Sequence, residues 1–130
     1  MKPAIATIIG VVVAAVAIWV FEFLGHLIVP IGEKINVTSA EDLKLIMFKI
    51  PMKALIAVIL AHGLGLFAGL FAAYKVEPTT KVPLFGVTGV ILLFTVVNLV
   101  MIPHPLWFTI ADIAIIILAA IAFIGTRKKA

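Results

Sequence analysis

Two ionisable side chains, Glu22 and His26, lie four residues apart near the end of the first long apolar stretch of the chain. Four residues make about one helical turn, so both side chains leave the same face of a helix. A carboxylate and an imidazole so placed can chelate a divalent metal ion, or can exchange a proton, because histidine titrates near neutral pH. Ionisable groups in a membrane segment are costly and seldom face lipid. The pair therefore predicts a polar partner on another helix.

Each of the other apolar stretches also carries or borders at least one polar side chain that could join this pair. At about 1.5 Å per residue, Glu22, Asn98 and Asp112 lie about 7 to 12 Å below one end of the predicted bundle. His62 lies deeper, at about 16 Å, and His104 lies at the surface. This shared level predicts a polar layer. Its expected ligand or proton-path residues are Glu22, His26, Asn98, His104 and Asp112, and its candidate ligands for a divalent metal are Glu22, His26, His62 and His104.

The composition places the chain among membrane proteins. Of its 130 residues, 65% are hydrophobic and 12% are charged, and its mean hydropathy is +1.34. Globular domains carry about 25% charged residues. The chain has no cysteine, which excludes disulfides and thiolate chemistry. The net charge of +4 lies mainly near the chain ends and in one loop, a pattern that favours a topology signal over a nucleic-acid surface.

The apolar runs predict an all-α, single-domain membrane bundle over residues 1–130. Prolines and short polar turns separate the runs, and each run is long enough to cross a bilayer. A cleaved signal peptide is the alternative for the first run, but that run stays apolar past Ala17 with no polar start of a mature chain. The four crossings are expected at about 4–29, 54–74, 82–102 and 106–125.

The first loop is predicted to contain a short amphipathic helix over residues 39–49. Thr38 and Glu41 fit a capping box that starts this helix. Apolar residues then recur at helical spacing, and lysines separate them, which is typical of a helix lying at a membrane interface. The apolar positions are Leu43, Ile46, Met47 and Ile50, and the polar ones are Lys44 and Lys49.

A stripe of small residues in the second crossing predicts a close helix–helix contact. Its members, each four residues from the next, are Ala61, Gly65, Gly69 and Ala73. Small side chains let helix backbones approach closely in lipid. The contacting helix is expected either in the same chain or in a second copy.

Four crossings put both termini on one side of the membrane. The side with the termini carries Lys2, Lys75, Lys81, Arg127, Lys128 and Lys129, against Lys34, Lys44, Lys49 and Lys53 on the other. The positive-inside rule therefore predicts cytoplasmic termini in a bacterial inner membrane. Because four crossings are few for a self-contained transporter, we expect a homo-oligomer or a partner membrane protein in addition to the lipid bilayer.

Two elements resemble a group of small, uncharacterised bacterial four-helix membrane proteins. The first is Glu22-Phe23-Leu24-Gly25-His26, an E-x-x-G-H element late in the first crossing. The second runs from Asn98 to Phe108 and reads N-x-x-M-I-P-H-P-x-W-F. The resemblance implies a four-helix layout and singles out Glu22, His26, Asn98, His104 and Trp107. It implies no activity.

Three functions fit these residues. The first is a site in the polar layer that binds a metal or small ligand or forms part of a proton or ion path. The second is a structural or assembly subunit, whose buried polar residues only fix the helix packing. The third is a small membrane enzyme that uses Glu22 and His26 as acid and base. Because the sequence carries no phosphate-binding glycine loop, HExxH or CxxC motif, we expect binding or conduction rather than catalysis.

Overall fold

The computed structural model describes residues 1–30 and 38–127, and these form five helices and no strand. The all-α prediction is confirmed. Four helices are long and apolar enough to cross a membrane, which is compatible with a multi-pass membrane protein. The basic residues Lys34, Lys128 and Lys129, which entered the topology prediction, lie outside the described residues. The helices are α1 (Lys2–Ile28), α2 (Ala40–Lys49), α3 (Met52–Val76), α4 (Val82–Met101) and α5 (Leu106–Gly125).

Helix α3 is the centre of the bundle. It packs against α1, α4 and α5, whereas α1 and α5 do not pack against each other within the described residues. We call the end of the bundle with α2 the loop end, and the end with residues 1 and 127 the terminal end. Because α3 packs against both α1 and α5, an α3 side chain can link those two helices.

The α1–α3 contact is the most extensive between two helices within the described residues, and the small-residue stripe forms the α3 side of it. A Cβ added at Gly69 would lie 2.5 Å from the Ala14 Cβ, and one at Gly65 would lie 2.9 Å from the Ile18 backbone nitrogen. Ala61 and Ala73, the ends of the stripe, are also buried. The helices therefore touch through their backbones, a contact that only small residues permit.

Two apolar clusters fill the interior. The one towards the terminal end is the larger and includes Leu66, Leu70, Val87, Ile116 and Phe123. The one at the loop end is built from Met47, Leu55, Ile59 and Phe108. On α3, His62 falls between these clusters, so the polar residues interrupt an otherwise apolar interior.

Helix α2 begins at a different cap from the one predicted. The N-cap is Ser39, whose Oγ accepts a hydrogen bond from the Asp42 backbone N–H at 3.1 Å. The prediction of Thr38 as N-cap and Glu41 as its partner was wrong by one residue. Thr38 instead donates its hydroxyl to the Asp42 carboxylate at 2.7 Å, and these Thr38 and Ser39 hydrogen bonds lower the pKa of Asp42. Both registers place a hydroxyl three residues before an acid, which is why the sequence pattern alone did not separate them.

The predicted apolar face of α2 lies towards the bundle. Met47 is buried against Leu55, Ile59 and Phe108, and Leu43 and Ile50 pack beside it. Two further apolar side chains, Leu45 and Phe48, point outwards with 59% and 61% of their surface exposed. Helix α2 is thus apolar on its inner side and partly apolar on its outer side.

Candidate functional site: a histidine between two carboxylates

The imidazole of His62 lies between two carboxylates from different helices. Its Nδ1 is 2.6 Å from Oδ1 of Asp112 on α5, and its Nε2 is 3.2 Å from Oε1 of Glu22 on α1. Both ring nitrogens are therefore within hydrogen-bond distance of an acid. The three side chains form one chain of hydrogen bonds, Asp112–His62–Glu22, which joins α1 to α5 across α3.

The hydrogen bonds of this chain depend on how many protons it holds. If both acids are ionised, His62 must be an imidazolium that donates through both nitrogens. If the imidazole is neutral and donates Nδ1–H to Asp112, its Nε2 can only accept, so Glu22 must carry the proton and donate it. A proton can thus move between Nε2 and Oε1 of Glu22 without any change of partner. The arrangement is chemically suited to hold and hand over a proton.

The two carboxylates differ in their surroundings. The Asp112 side chain is 1% exposed, whereas that of Glu22 is 32% exposed. The hydrogen bond to buried Asp112 fixes the orientation of the His62 ring, and Glu22 is the member that can reach the exterior. Exchange with the surroundings is therefore expected at the Glu22 end of the chain.

A cavity of about 280 Å³ adjoins the exposed end of the cluster, between α1, α3 and α4. Asp112 is not part of its wall, so the cavity meets only the Glu22–His62 half of the chain. At about 30 Å³ per water molecule, this space is large enough for several waters or a small polar ligand. Its wall consists of Ala15, Ile18, Glu22, His62, Ile91, Phe94, Thr95 and Asn98.

Glycines bring the three helices together at this level. A Cβ on Gly63 would lie 2.8 Å from Cγ1 of Ile115, so α5 approaches α3 directly beside His62. A Cβ on Gly25 would lie 3.1 Å from the Ala57 Cβ, so α1 also stays close to α3 beyond Glu22. Gly25 and Gly63 therefore let the three helices approach closely enough for the hydrogen bonds of His62.

The structure brings together some of the predicted site residues and not others. Glu22 and Asp112 meet at His62, and Asn98 lines the same cavity although it is largely exposed. Glu22 is paired with His62 rather than with His26, which is exposed in the last turn of α1. Glu22 faces α3 because α1 packs against that helix. His26, four residues further along, is exposed and meets no buried partner.

His104, predicted as a member of the polar layer and a metal ligand, makes its contacts within its own turn. Its Nδ1 donates to the Ile102 carbonyl at 2.7 Å, and its ring stacks on Phe108 at 4.7 Å between centroids. These contacts hold the tight turn between α4 and α5. Within residues 1–30 and 38–127, no three histidine, aspartate or glutamate side chains are grouped to hold one metal ion.

Two features of the site escaped the sequence reasoning. Thr95 is buried with 6% of its surface exposed, and it lines the cavity one turn before Asn98 on α4. That spacing was a usable signal, because residues three apart share a helix face. The His62–Asp112 contact had no such signal, since it depends on how α3 and α5 are rotated against each other.

No family model, curated protein or solved structure matches this chain. Its chemistry is therefore inferred from the geometry of Glu22, His62 and Asp112.

Proposed function

We propose that this chain is an integral membrane protein that takes up and releases a proton at Glu22, His62 and Asp112, and that the site is part of a proton path. The observation that carries the proposal is the histidine with a carboxylate at each ring nitrogen. Histidine exchanges protons near neutral pH, and carboxylate–histidine chains inside membranes are typical of proton relays.

The outer surface of the bundle supports membrane insertion. Large apolar side chains are exposed along all four long helices, for example Trp19 at 67% and Phe94 at 64%. Soluble monomers rarely expose contiguous apolar patches of such extent. We infer cytoplasmic termini in a bacterial inner membrane from the lysines and arginine of the terminal end. With Leu45 and Phe48 turned outwards, α2 would lie in the interface at the opposite surface.

The path would be completed by a second copy of the chain. The interior between the cluster and the terminal end is filled by apolar side chains such as Leu66, Leu70 and Phe123. A proton that leaves Glu22 through the cavity would therefore continue along the outer surface of α1 and α4, where a second copy could cover it. In this scheme Asn98 and Thr95 would bind water in the cavity beside Glu22.

Proton flux in proteoliposomes tests the proposal. Potassium-loaded vesicles with an internal pH dye receive valinomycin in a potassium-free medium. Potassium efflux then draws protons inwards, and the rate of internal acidification is recorded. Protein-containing vesicles should respond faster than empty ones, and Glu22→Gln should return the rate to that of empty vesicles because the amide cannot exchange a proton.

Glu41→Gln is the matched control, since it makes the same chemical change at an exposed position on α2. It should carry protons as fast as the unmodified chain. Equal rates for Glu22→Gln and Glu41→Gln, or no flux above empty vesicles for the unmodified protein, would contradict the proposal.

A structural role is the second candidate, and one observation favours it. Helices α1 and α5 do not pack against each other within the described residues, and the His62 hydrogen bonds connect them. If this link serves only packing, the unmodified protein should show no proton flux above that of empty vesicles. Glu22→Gln should then only lower the thermal stability in detergent. The flux and stability measurements together separate the two functions.

A further inference from the structure

A second cavity, with a volume of about 560 Å³, lies at the terminal end of the bundle, away from the histidine cluster. Its walls combine two cations with apolar side chains. The residues that line it come from the α3–α4 turn and the adjoining helix ends: Tyr74, Pro78, Thr79, Thr80, Lys81, Val82, Leu84, Phe85, Ile124, Gly125 and Arg127.

The two cations are held in place by contacts that, within residues 1–30 and 38–127, include no carboxylate. The Arg127 guanidinium lies over the rings of Tyr74 and Phe123, at 4.6 and 4.2 Å from their centroids. The Lys81 ammonium donates one hydrogen bond to the Ile124 carbonyl at 3.1 Å. Its other two N–H groups donate to no acceptor among the described residues. Among residues 1–30 and 38–127, ion pairs to a carboxylate occur only at His62. The cavity therefore offers two fixed positive charges to an anion.

Glu77, the acid of the α3–α4 turn, forms no ion pair with these cations within the described residues. Glu77 is buried in the same turn, but its carboxylate accepts from the backbone N–H of Thr79 at 3.0 Å and from the Thr79 hydroxyl. The carboxylate is thus engaged within its own loop.

An apolar groove continues from this cavity along α4 and α5. It has a volume of about 280 Å³ and shares Phe85, Ile124 and Gly125 with the charged cavity. Its further walls are Ile117, Ala120 and Ile121, together with Thr88, whose hydroxyl is bonded to the Leu84 carbonyl. From Gly125 to Ile117 the groove runs about 12 Å along the helix, which is most of the about 15 Å that one leaflet contributes to a bilayer core.

We propose that the cavity and the groove together bind one anionic phospholipid. The phosphodiester headgroup lies between Arg127 and Lys81, and an acyl chain occupies the groove between α4 and α5. Guanidinium and ammonium groups recognise phosphate oxygens through charge-assisted hydrogen bonds. Basic pockets between helices at a membrane surface select anionic lipids. The site is on a different face from the Glu22 cavity and is independent of the proton chemistry proposed above.

Lipid addition to the detergent-solubilised protein tests the inference. Phosphatidylglycerol, phosphatidylcholine and glycerol phosphate are titrated separately, and the midpoint of thermal unfolding and one-to-one binding by native mass spectrometry are recorded. Phosphatidylglycerol should bind and raise the midpoint more than the other two. Arg127→Gln and Lys81→Gln should report the headgroup contact, because each removes one charge and should weaken apparent binding about fivefold.

Gly125→Leu tests the acyl chain with both cations intact. Its Cβ would meet no atom within 4 Å, so the substitution should leave the fold unchanged and fill the groove instead. Gly89→Leu is the matched control, because Gly89 on α4 is equally open and lines neither cavity. Lys75→Gln is the charge control, since Lys75 lies at the same end and lines neither cavity. Phosphatidylglycerol binding should be lost in Gly125→Leu, weakened in Lys81→Gln and in Arg127→Gln, and kept in both controls.

Three results would overturn the inference. Equal binding of phosphatidylcholine would remove the role of the charges, and an equal effect of glycerol phosphate would show an anion site without an acyl chain. Full phosphatidylglycerol binding by Gly125→Leu would exclude the groove.

Discussion

At the scale of single residues, His62 is the side chain that links the two carboxylates of the candidate site. Its Nδ1 is committed to a carboxylate that is 1% exposed, and its Nε2 faces a carboxylate that is 32% exposed. In the proposed proton site, buried Asp112 orients the histidine and the more accessible Glu22 exchanges a proton with it. The chain of hydrogen bonds would then have a fixed end at Asp112 and an exchanging end at Glu22.

Asp112→Asn should disturb the fixed end without changing the volume of the side chain. The amide cannot serve as an ionised acceptor, so the preference for the Nδ1–H form of His62 should weaken. We expect a loss of about 1–3 kcal/mol in the free energy of unfolding, as for a buried charge-assisted hydrogen bond. ¹⁵N NMR of histidine-labelled protein should show changed ring-nitrogen shifts of His62, while those of His104 stay as they are. Unchanged His62 shifts would mean that Asp112 does not set the state of the ring.

At the scale of helices, the contact of α1 with α3 determines where Glu22 can reach. Gly69 meets Ala14 and Gly10, and Gly65 meets Ile18, so the two backbones are in contact over several turns. Glu22 lies one turn beyond Ile18 on the same helix, and it reaches His62 because that contact continues. The small-residue stripe thus packs α1 against α3 and thereby places Glu22 within reach of His62.

Gly69→Ala and Gly89→Ala should change stability in opposite directions. The added methyl group at Gly69 would lie 2.5 Å from the Ala14 Cβ and also against the Gly10 carbonyl, so we expect destabilisation of about 1–3 kcal/mol. At Gly89 the methyl group meets open space, and alanine is the better helix former by about 1 kcal/mol. Thermal unfolding in detergent measures both, and equal shifts would show that the close contact is absent in the folded protein.

The turn between α3 and α4 should respond to acid through Glu77. Hydrogen bonds from the side chain and backbone of Thr79 lower the pKa of Glu77 below its ordinary value of 4.5, assisted by the charges of Lys2 and the N-terminus. A lowered folded-state pKa contributes stability above the unfolded value of 4.5, and that contribution is lost as the pH falls through the lowered value.

Glu77→Gln should therefore lower the unfolding midpoint at neutral pH, and its difference from the unmodified chain should shrink to nothing in acid. The midpoints are measured in detergent from neutral pH down to about pH 3. The same substitution at exposed Glu41 should show no such convergence, and a difference for Glu77→Gln that persists in acid would rule out the linkage.

At the scale of the whole molecule, the bundle has two chemically different ends. The terminal end carries Lys81 and Arg127 around an open cavity, and the loop end carries α2 and the histidine cluster below it. This difference between the ends fits the orientation proposed above, in which the cationic end lies at the cytoplasmic surface.

Single-cysteine labelling should establish this orientation. The chain contains no cysteine, so Glu41→Cys and Thr79→Cys each introduce one reactive site on opposite ends. In intact spheroplasts a membrane-impermeant maleimide should label Glu41→Cys and leave Thr79→Cys unlabelled until the membrane is opened. The reverse pattern would place the termini outside.

The positions of the helices and the depth of the polar residues could be predicted from the sequence, but the pairing of the polar residues could not. Apolar runs and prolines locate the helices, because the length of a run and the prolines that end it are local properties of the sequence. Glu22 and Asp112 were expected in a common layer from depth alone. The choice of His62 over His26 as their partner depends on helix rotation, which the packing of Gly63 on Ile115 and of Gly65 on Ile18 determines. Rotation is a long-range property, and a uniformly apolar helix carries little periodic signal for it.

The hydrogen-bond chain also has a consequence for biosynthesis. Glu22 lies on α1, His62 on α3 and Asp112 on α5, so the three side chains are synthesised in that order. The polar chain can therefore close only after α5 has been made. A chain truncated before α5 would keep the Glu22 partner of His62 and leave Nδ1 of His62 without its buried acid.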